Sequence, residues 1–571
     1  MVKARWLWFL ICAVLGLALL VCGLLVPMHL RAVDASVIAR AGRNSPALLK
    51  QGQTLAVEQK LGAAQMLMLA ARLAGIPGWD RLDETITNLA RQNPAALAWG
   101  NDSRVENIFG KPSRLAEENL PFTGFVVRQE NRNAALARLR ASPAPTVQEL
   151  LRSRSLTDTV LFPPSSSASG QAFDAAVCVC GLLLDGNHLT ASLSRQIDQL
   201  ALQANRGANS EPLEQALMDF LSLGQRFNWD QLTAFVANIP DTDTLTQLAG
   251  EARVAGQKLP VLFAAVQLSG KPAEVAGYLT KFKDTGLSDL GTGLRYGAGG
   301  VGELAKSRQR FYHSSLEWRV AAYDPAGTFI DYAANVCLKK PWLALAVKWL
   351  LYLGAGFLLA AAMHFARPVV APLERPLQVR GFHLFREFLF SLAFLLVVLL
   401  LSEPFLAQES QKGSFSLRPH LPMVGGAVTA GIAGIKQTIM NPTILLTLLV
   451  FFVLQSLLYI SCLVKLAEIR RQNVPPRMKL RLLENEDHLF DAGLYLGFVG
   501  TIVSLIIASL HFIQFSLMAA YSSTSFGIIF VVIFKIFHLR PARRKLLLEA
   551  EAGIGPAAGY VSPAAASTPA L

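Results

Sequence analysis

Apolar residues are distributed along this chain in two different ways. Six stretches, at 6–27, 342–363, 388–406, 444–464, 494–512 and 515–537, are almost continuously apolar. At 1.5 Å per residue a run of about 18 or more matches the ~30 Å hydrocarbon core of a bilayer, so each predicts a membrane-spanning helix. The last two are joined by a few residues that include His511, which leaves room for a tight hairpin and little else. Between 28 and 340 apolar residues recur instead on a 3.6-residue period, as at Val57, Leu61, Ala64, Met68 and Ala71, and again over 213–223, 232–239, 245–254 and 261–268. That period predicts amphipathic helices, punctuated later by Pro240, Pro260, Pro272 and Pro325. Without a fixed sequence repeat, an irregular helical domain is expected rather than a solenoid of paired helices. A Pro/Ser-rich stretch at 163–170 is expected to separate two helical subdomains. The predicted fold class is all-α: a polytopic membrane protein with six transmembrane helices and a large helical extracytoplasmic domain between the first and second.

Composition agrees with two solvents. The 571 residues are 52% apolar and 16% charged, where a soluble chain carries about 25% charged residues. The first apolar run is longer than a secretory h-region and no A-x-A-like site follows it, so it reads as an uncleaved anchor. Cys22 follows Leu-Leu-Val, which disfavours lipidation there. Residues 28–340 hold 32 basic and 29 acidic side chains, so that +10 of the net +13 belongs to the rest of the chain. The basic clusters (Lys3 and Arg5; Arg367 to Arg386; Lys465 to Arg481; Lys535 to Lys545) fall in alternate connections, as the positive-inside rule requires of cytoplasmic loops. Both termini are therefore expected on the cytoplasmic side, with 28–340 outside. The charge marks topology, which argues against nucleic acid as a partner. The predicted organisation is an anchor at 1–27, the outer domain at 28–340, two spans within 341–407, a loop at 408–441, a three-helix core at 442–548 and a disordered tail at 549–571.

The outer domain offers little catalytic chemistry, and the chain is not expected to be an enzyme or to hold a cofactor or metal. Gly297, Gly299 and Gly302 spell G-x-G-x-x-G without a strand before them, and read as a turn ahead of a helix near Glu303. Cys178 and Cys180 lack the second pair of a zinc site and sit among apolar neighbours, predicting buried thiols, with a disulfide to Cys337 left open. One sequon, Asn101-Asp102-Ser103, matters only where such sites are glycosylated.

Polar residues inside the last two apolar runs are more informative. Thr501, Ser504, Ala508 and His511 lie along one helical stripe, and Ser516, Ala520, Ser523 or Thr524, and Gly527 along another. Small and hydroxyl-bearing faces let membrane helices approach closely, or they line a water-accessible path. Leu496-Gly497-Phe498-Val499-Gly500-Thr501-Ile502-Val503 resembles the L-G-L-x-G-T-V segment of the MotA/TolQ/ExbB proton-channel family. Ala520-Tyr521-Ser522-Ser523-Thr524-Ser525-Phe526-Gly527 resembles that family's A-L-x-A-T-A-x-G segment in the following helix. The resemblance implies a homo-oligomer, a pentamer, whose last two helices surround single-span partners like MotB, TolR or ExbD, with the proton carried on the partner's aspartate. It further implies that Thr501 and Thr524, with Ser504 and Ser523, line the ion path, and that Gly497, Gly500, Gly527 and Ala520 permit close packing.

The similarity covers 494–537. Ala519 stands where ExbB and TolQ carry an acid, Ile533 where they carry a proline, and only about 24 residues (465–488) replace the family's long cytoplasmic insertion. No Asp or Glu occurs between 494 and 537, so a second chain would have to supply the carboxylate. His511 is expected at the interface and Lys348 to snorkel to it. Glu484, Glu486, Asp487 and Asp491 read as a solvated face beside Arg477, Lys479 and Arg481, or as a cation-gathering mouth. The expected function is a channel-wall subunit that couples ion flow to an extracytoplasmic task, its outer domain engaging a cell-wall or periplasmic protein ligand. The alternative is a non-conducting receptor or scaffold that oligomerises through the same helices. A permease is disfavoured, since no inverted repeat of the hairpin motif occurs.

Overall fold

The computed structural model describes residues 2–110, 120–154, 168–207, 209–314, 324–366, 382–405, 442–509 and 517–551. His511, the 408–441 loop, the tail and most of the Pro/Ser-rich stretch lie outside them. The chain forms two compact units, one comprising 27–341 and the other 1–26 with 342–571.

The 27–341 unit is built around the helix Leu61–Ala74. Ten of its fourteen residues are buried, because Ala63, Ala64, Ala70 and Ala71 are small enough for neighbours to close on several faces while Leu67, Met66 and Met68 fill the gaps. Helices Leu48–Val57, Trp79–Gln92, Trp229–Val236 and Leu259–Ser269 pack against it. The helix ends at Gly75, whose φ of +68° is the left-handed C-cap conformation that glycine adopts without steric cost. From residue 129 onward alternate helices stack in series: Gln129–Arg140 on Ala168–Asp185, then Glu211–Gly224, Thr242–Ala255, Pro272–Lys281 and Gly297–Ser307. This is the packing of a helical solenoid without a sequence repeat, more regular than the pattern predicts. Helices before and after the Pro/Ser-rich stretch belong to one stack, so that stretch does not divide the unit. The only strands among the described residues are β1 (Ala32–Asp34) and β2 (Arg310–Tyr312), paired in parallel with Ala32 opposite Arg310.

The G-x-G-x-x-G segment has a packing explanation. Helix Gly297–Ser307 opens at Gly297, six residues before Glu303, and follows a short 3-10 turn. A Cβ at Gly299 would lie 2.3 Å from the carbonyl oxygen of Ala41, so this helix crosses Ala35–Gly42 backbone to backbone. Cys178 and Cys180 are fully buried free thiols, which leaves neither joined to Cys337. Burial pushes the Cys178 thiol up to about 12.

In the other unit four described helices contain segments long and apolar enough to cross a membrane: Arg5–Leu24, Pro341–Ala366, Phe451–Arg471 and Tyr521–Glu551. Two more apolar helices, Phe382–Ser402 and Ala492–Ser509, stand in the third and fifth places. Small residues set the spacing. A Cβ at Gly23 of the first helix would lie 2.6 Å from the Tyr352 ring of the second, and one at Gly356 would lie 3.0 Å from Phe394 of the third. Ala393, Leu396 and Val453 join the third helix to the fourth.

One expectation is corrected here. Lys348 does not snorkel: it is 1% exposed and faces Glu403, the residue that follows the third helix, N to O 3.7 Å. The counter-charge gives the ammonium an alternative to the interface.

Candidate hairpin seam

The fifth and sixth apolar helices, Ala492–Ser509 and Leu517–Phe534, meet along Gly497, Gly500 and Thr501 on one side and Ser523, Thr524 and Gly527 on the other. A Cβ at Gly497 would stand 2.8 Å from the Ser523 carbonyl oxygen, and one at Gly527 would stand 2.6 Å from that of Gly493. One at Gly500 would stand 2.5 Å from Ser523 Oγ. At the first two positions the obstacle is backbone, which cannot rotate away, so the sequence meets the close approach with the only residue lacking a Cβ.

Within this seam Thr501 Oγ1 lies 2.5 Å from Thr524 Oγ1, and these oxygens lie 3.0 and 3.3 Å from the Gly497 carbonyl oxygen. Each hydroxyl carries one proton. Of these three contacts only two can be hydrogen bonds at once: one threonine donates to Gly497, and the other donates to its fellow hydroxyl. Exchanging those roles leaves the heavy atoms in place. Ser523 and Thr501 are both buried. Exposed surface on the two helices belongs to Tyr495, Phe498, Val499 and Ile502, and to Tyr521, Ile528, Ile529 and Val532. The structure thus brings Thr501, Ser523, Thr524, Gly497, Gly500 and Gly527 together. Ser504 and Ala520 lie on the same helices, with side chains outside the described atoms.

The sequence reading missed the third contributor. Gln455 of the fourth helix, Pro442–Arg471, is 1% exposed and donates from Nε2 to the Gly493 carbonyl oxygen at 2.9 Å. A Cβ at Gly493 would lie 3.0 Å from Gln455 Oε1, and one at Gly527 would lie 3.3 Å from its Nε2. The amide is therefore clamped between two glycines where three helices meet. The available signal was a glutamine, the one amide side chain in that largely apolar run. Beside this junction Leu448, Tyr521, Ser522, Ser525 and Phe526 line an open groove of about 410 Å³.

At the end expected to be cytoplasmic, the sixth helix widens into a π-turn, Lys535–Leu539, and Tyr459 Oη meets His538 Nε2 at 2.8 Å. Three of the four acids, Glu486, Asp487 and Asp491, are engaged in cross-links. Asp491 pairs with Lys535 at 2.7 Å, Asp487 with Arg543 at 3.0 Å and Glu486 with Lys465 at 3.6 Å. These partners differ from Arg477, Lys479 and Arg481; two of the pairs staple the segment that leads into the fifth helix to the chain around and beyond the end of the sixth, and the third ties that segment to the fourth helix.

Chemically, the seam offers hydroxyls, an amide and backbone carbonyls, with no carboxylate between 494 and 537. Such a seam can pass hydrogen bonds along but has no carboxylate on which to store a proton. Among the described residues no group of three His, Cys, Asp or Glu side chains is placed to hold a metal ion. In the 27–341 unit one polar cluster joins Asp102 Oδ2 to both His188 Nε2 and Trp229 Nε1, each at 2.9 Å. Burial opposes ionisation of Asp102, but the His188 and Trp229 hydrogen bonds prevail and hold it below the ordinary carboxylate range.

Comparison of the chain with known protein families, with curated proteins and with solved structures gives no match.

Proposed function

We propose that the chain is the channel-wall subunit of a proton-motive-force-driven complex of the MotA/TolQ/ExbB type in a bacterial inner membrane. In this reading it crosses the bilayer six times with both ends inside, and five copies surround a single-span partner that bears an aspartate. Residues 28–340 lie outside, where they engage a cell-wall or periplasmic protein. The observation that carries the reading is the Thr501–Thr524 hydroxyl pair in a glycine-paved hairpin without an acid of its own. A buried charge at mid-membrane costs at least ~2.5–3.5 kcal/mol on insertion scales, which makes a wall that supplies only neutral dipoles a suitable surround for a carboxylate on another chain.

The test is proton flux in liposomes that contain this chain together with the partner co-purified from native membranes. Thr501→Val and Thr524→Val are expected to lower flux at least ten-fold, each while preserving assembly; unchanged flux in both removes the hydroxyls from the path. The second reading, a non-conducting scaffold, is favoured by the same hydroxyls being satisfied within one hairpin. It expects a stable homo-oligomer with no aspartate-bearing companion, which cross-linking in membranes would reveal.

A further inference from the structure

The exposed surface of the sixth apolar helix changes chemistry as the helix continues through the π-turn into helix Arg540–Glu551. Val532, Ile533, Ile536 and Phe537 are exposed, Phe537 by 68%. The next exposed side chains include Arg540 and, one turn on, Arg544. Along the axis these two stand about 5 and 11 Å past Phe537, and the headgroup layer of a bilayer is about 5–8 Å deep on each side. With the apolar strip in hydrocarbon, the two guanidiniums bracket the level of the lipid phosphates.

The neighbouring cations are matched by acids. Lys535 pairs with Asp491, Arg543 with Asp487, Lys545 with Glu549, and Lys465 with both Glu468 and Glu486. Among the described residues no carboxylate lies within ion-pair distance of Arg540 or Arg544. The acids left over at this end are Glu484, on helix Pro476–Asn485, and Glu551, seven residues or about 10 Å beyond Arg544. Like charges one turn apart on a helix repel, so an anion set between the two arginines relieves them, and each offers a phosphate its planar fork of donors. Arg477 and Arg481 are also exposed and unmatched, but they lie on a helix that the chain enters only after the fourth helix has ended and turned back, with Lys479 on the Arg470 carbonyl. They carry equal charge away from the strip and supply the comparison.

We propose that Arg540 and Arg544 bind the headgroup of an anionic phospholipid whose acyl chains lie along Ile533, Ile536 and Phe537. Inorganic phosphate would satisfy the arginines and leave the strip bare; a lipid of the surrounding leaflet matches both parts. A headgroup without an ammonium is preferred, because choline would bring a third cation to the pair. The site does not depend on the channel-wall reading, since it uses neither the seam nor a partner chain.

The full-length chain is reconstituted in phosphatidylcholine vesicles with a trace of spin-labelled phosphatidylglycerol or spin-labelled phosphatidylcholine, and the immobilised fraction of each is read by electron paramagnetic resonance. Wild type is expected to immobilise phosphatidylglycerol at least about three-fold more. Arg540→Gln with Arg544→Gln should bring the ratio close to one, whereas Arg477→Gln with Arg481→Gln should leave it unchanged. A wild type without preference overturns the site, as does a preference that survives the first pair or is lost equally with the second. Should the first pair fail to fold, wild type is photo-crosslinked by a phosphatidylglycerol that carries a diazirine beside its headgroup. Label on the peptide spanning 536–544 supports the site, and label confined elsewhere overturns it.

Discussion

The two units solve the same packing problem with opposite materials. In the 27–341 unit the core is made of large side chains: Trp99, Trp229, Phe122, Phe235 and Phe263 are all fully buried. Removing that area from water drives the helices together. The membrane unit has no such driving force between its helices, because lipid is as apolar as leucine. Its closest contacts are made by Gly497, Gly500, Gly527 and Gly356, and its polar groups are placed across helix pairs, as with Gln455, Ser391 and the two threonines. Glycine sets spacing in both units, as Gly299 does against Ala41, but in the 27–341 unit that close approach is supplemented by a large aromatic core.

That contrast can be broken most severely at the seam. Gly497→Val or Gly527→Val drives a branched side chain into backbone and should abolish the hairpin, seen as loss of monodisperse protein on size exclusion in detergent. Next in size, Phe263→Ala should destabilise the 27–341 unit by about 3–5 kcal/mol, read from the urea midpoint of the full chain; a cost comparable to a surface substitution would mean that the aromatic core is not what holds it.

Asp230 provides a pH signature. Its carboxylate accepts from the Ala63 N–H at 2.9 Å near the start of the central helix, yet burial pushes it up to about 7. The folded state then binds the proton more tightly than the unfolded chain between about pH 4 and 7. The stabilisation from this group is full at low pH and is lost as pH rises through about 7. Thermal scans of wild type should show that decline, and Asp230→Asn should flatten it. The smallest effect has the opposite sign to the first: a Cβ at Gly250 meets nothing within 4 Å, so Gly250→Ala should stabilise helix Thr242–Ala255 by about 0.5–1 kcal/mol.

How much of this was legible in the sequence follows from how local each cause is. Continuous apolar runs and 3.6-residue periods are local, and the helices appear where they indicate. The seam was legible too, since glycine and threonine spacing on two adjacent helices fixes which faces can meet. Lys348 was misread because its partner Glu403 is 55 positions away, just past the end of another helix, and a lone lysine near a helix end has snorkelling as its default. Gln455 was overlooked because its role exists only where Gly493 and Gly527 converge. The serial stacking of helices after residue 129 was hidden because packing in two layers requires apolar stripes, which vary freely in residue type, and not a repeated motif.

The short pairing of β1 with β2 has a mechanical consequence. Its strands run in the same direction, with residue 27 leading into the start of one and residue 341 lying beyond the end of the other. A pull applied between those two points slides the strands lengthwise, so the ladder bonds share the load in shear instead of opening one after another like a zip. Tension on such a unit is borne by the clasp itself, so the helices enclosed between the two strands feel no load until those few bonds give way.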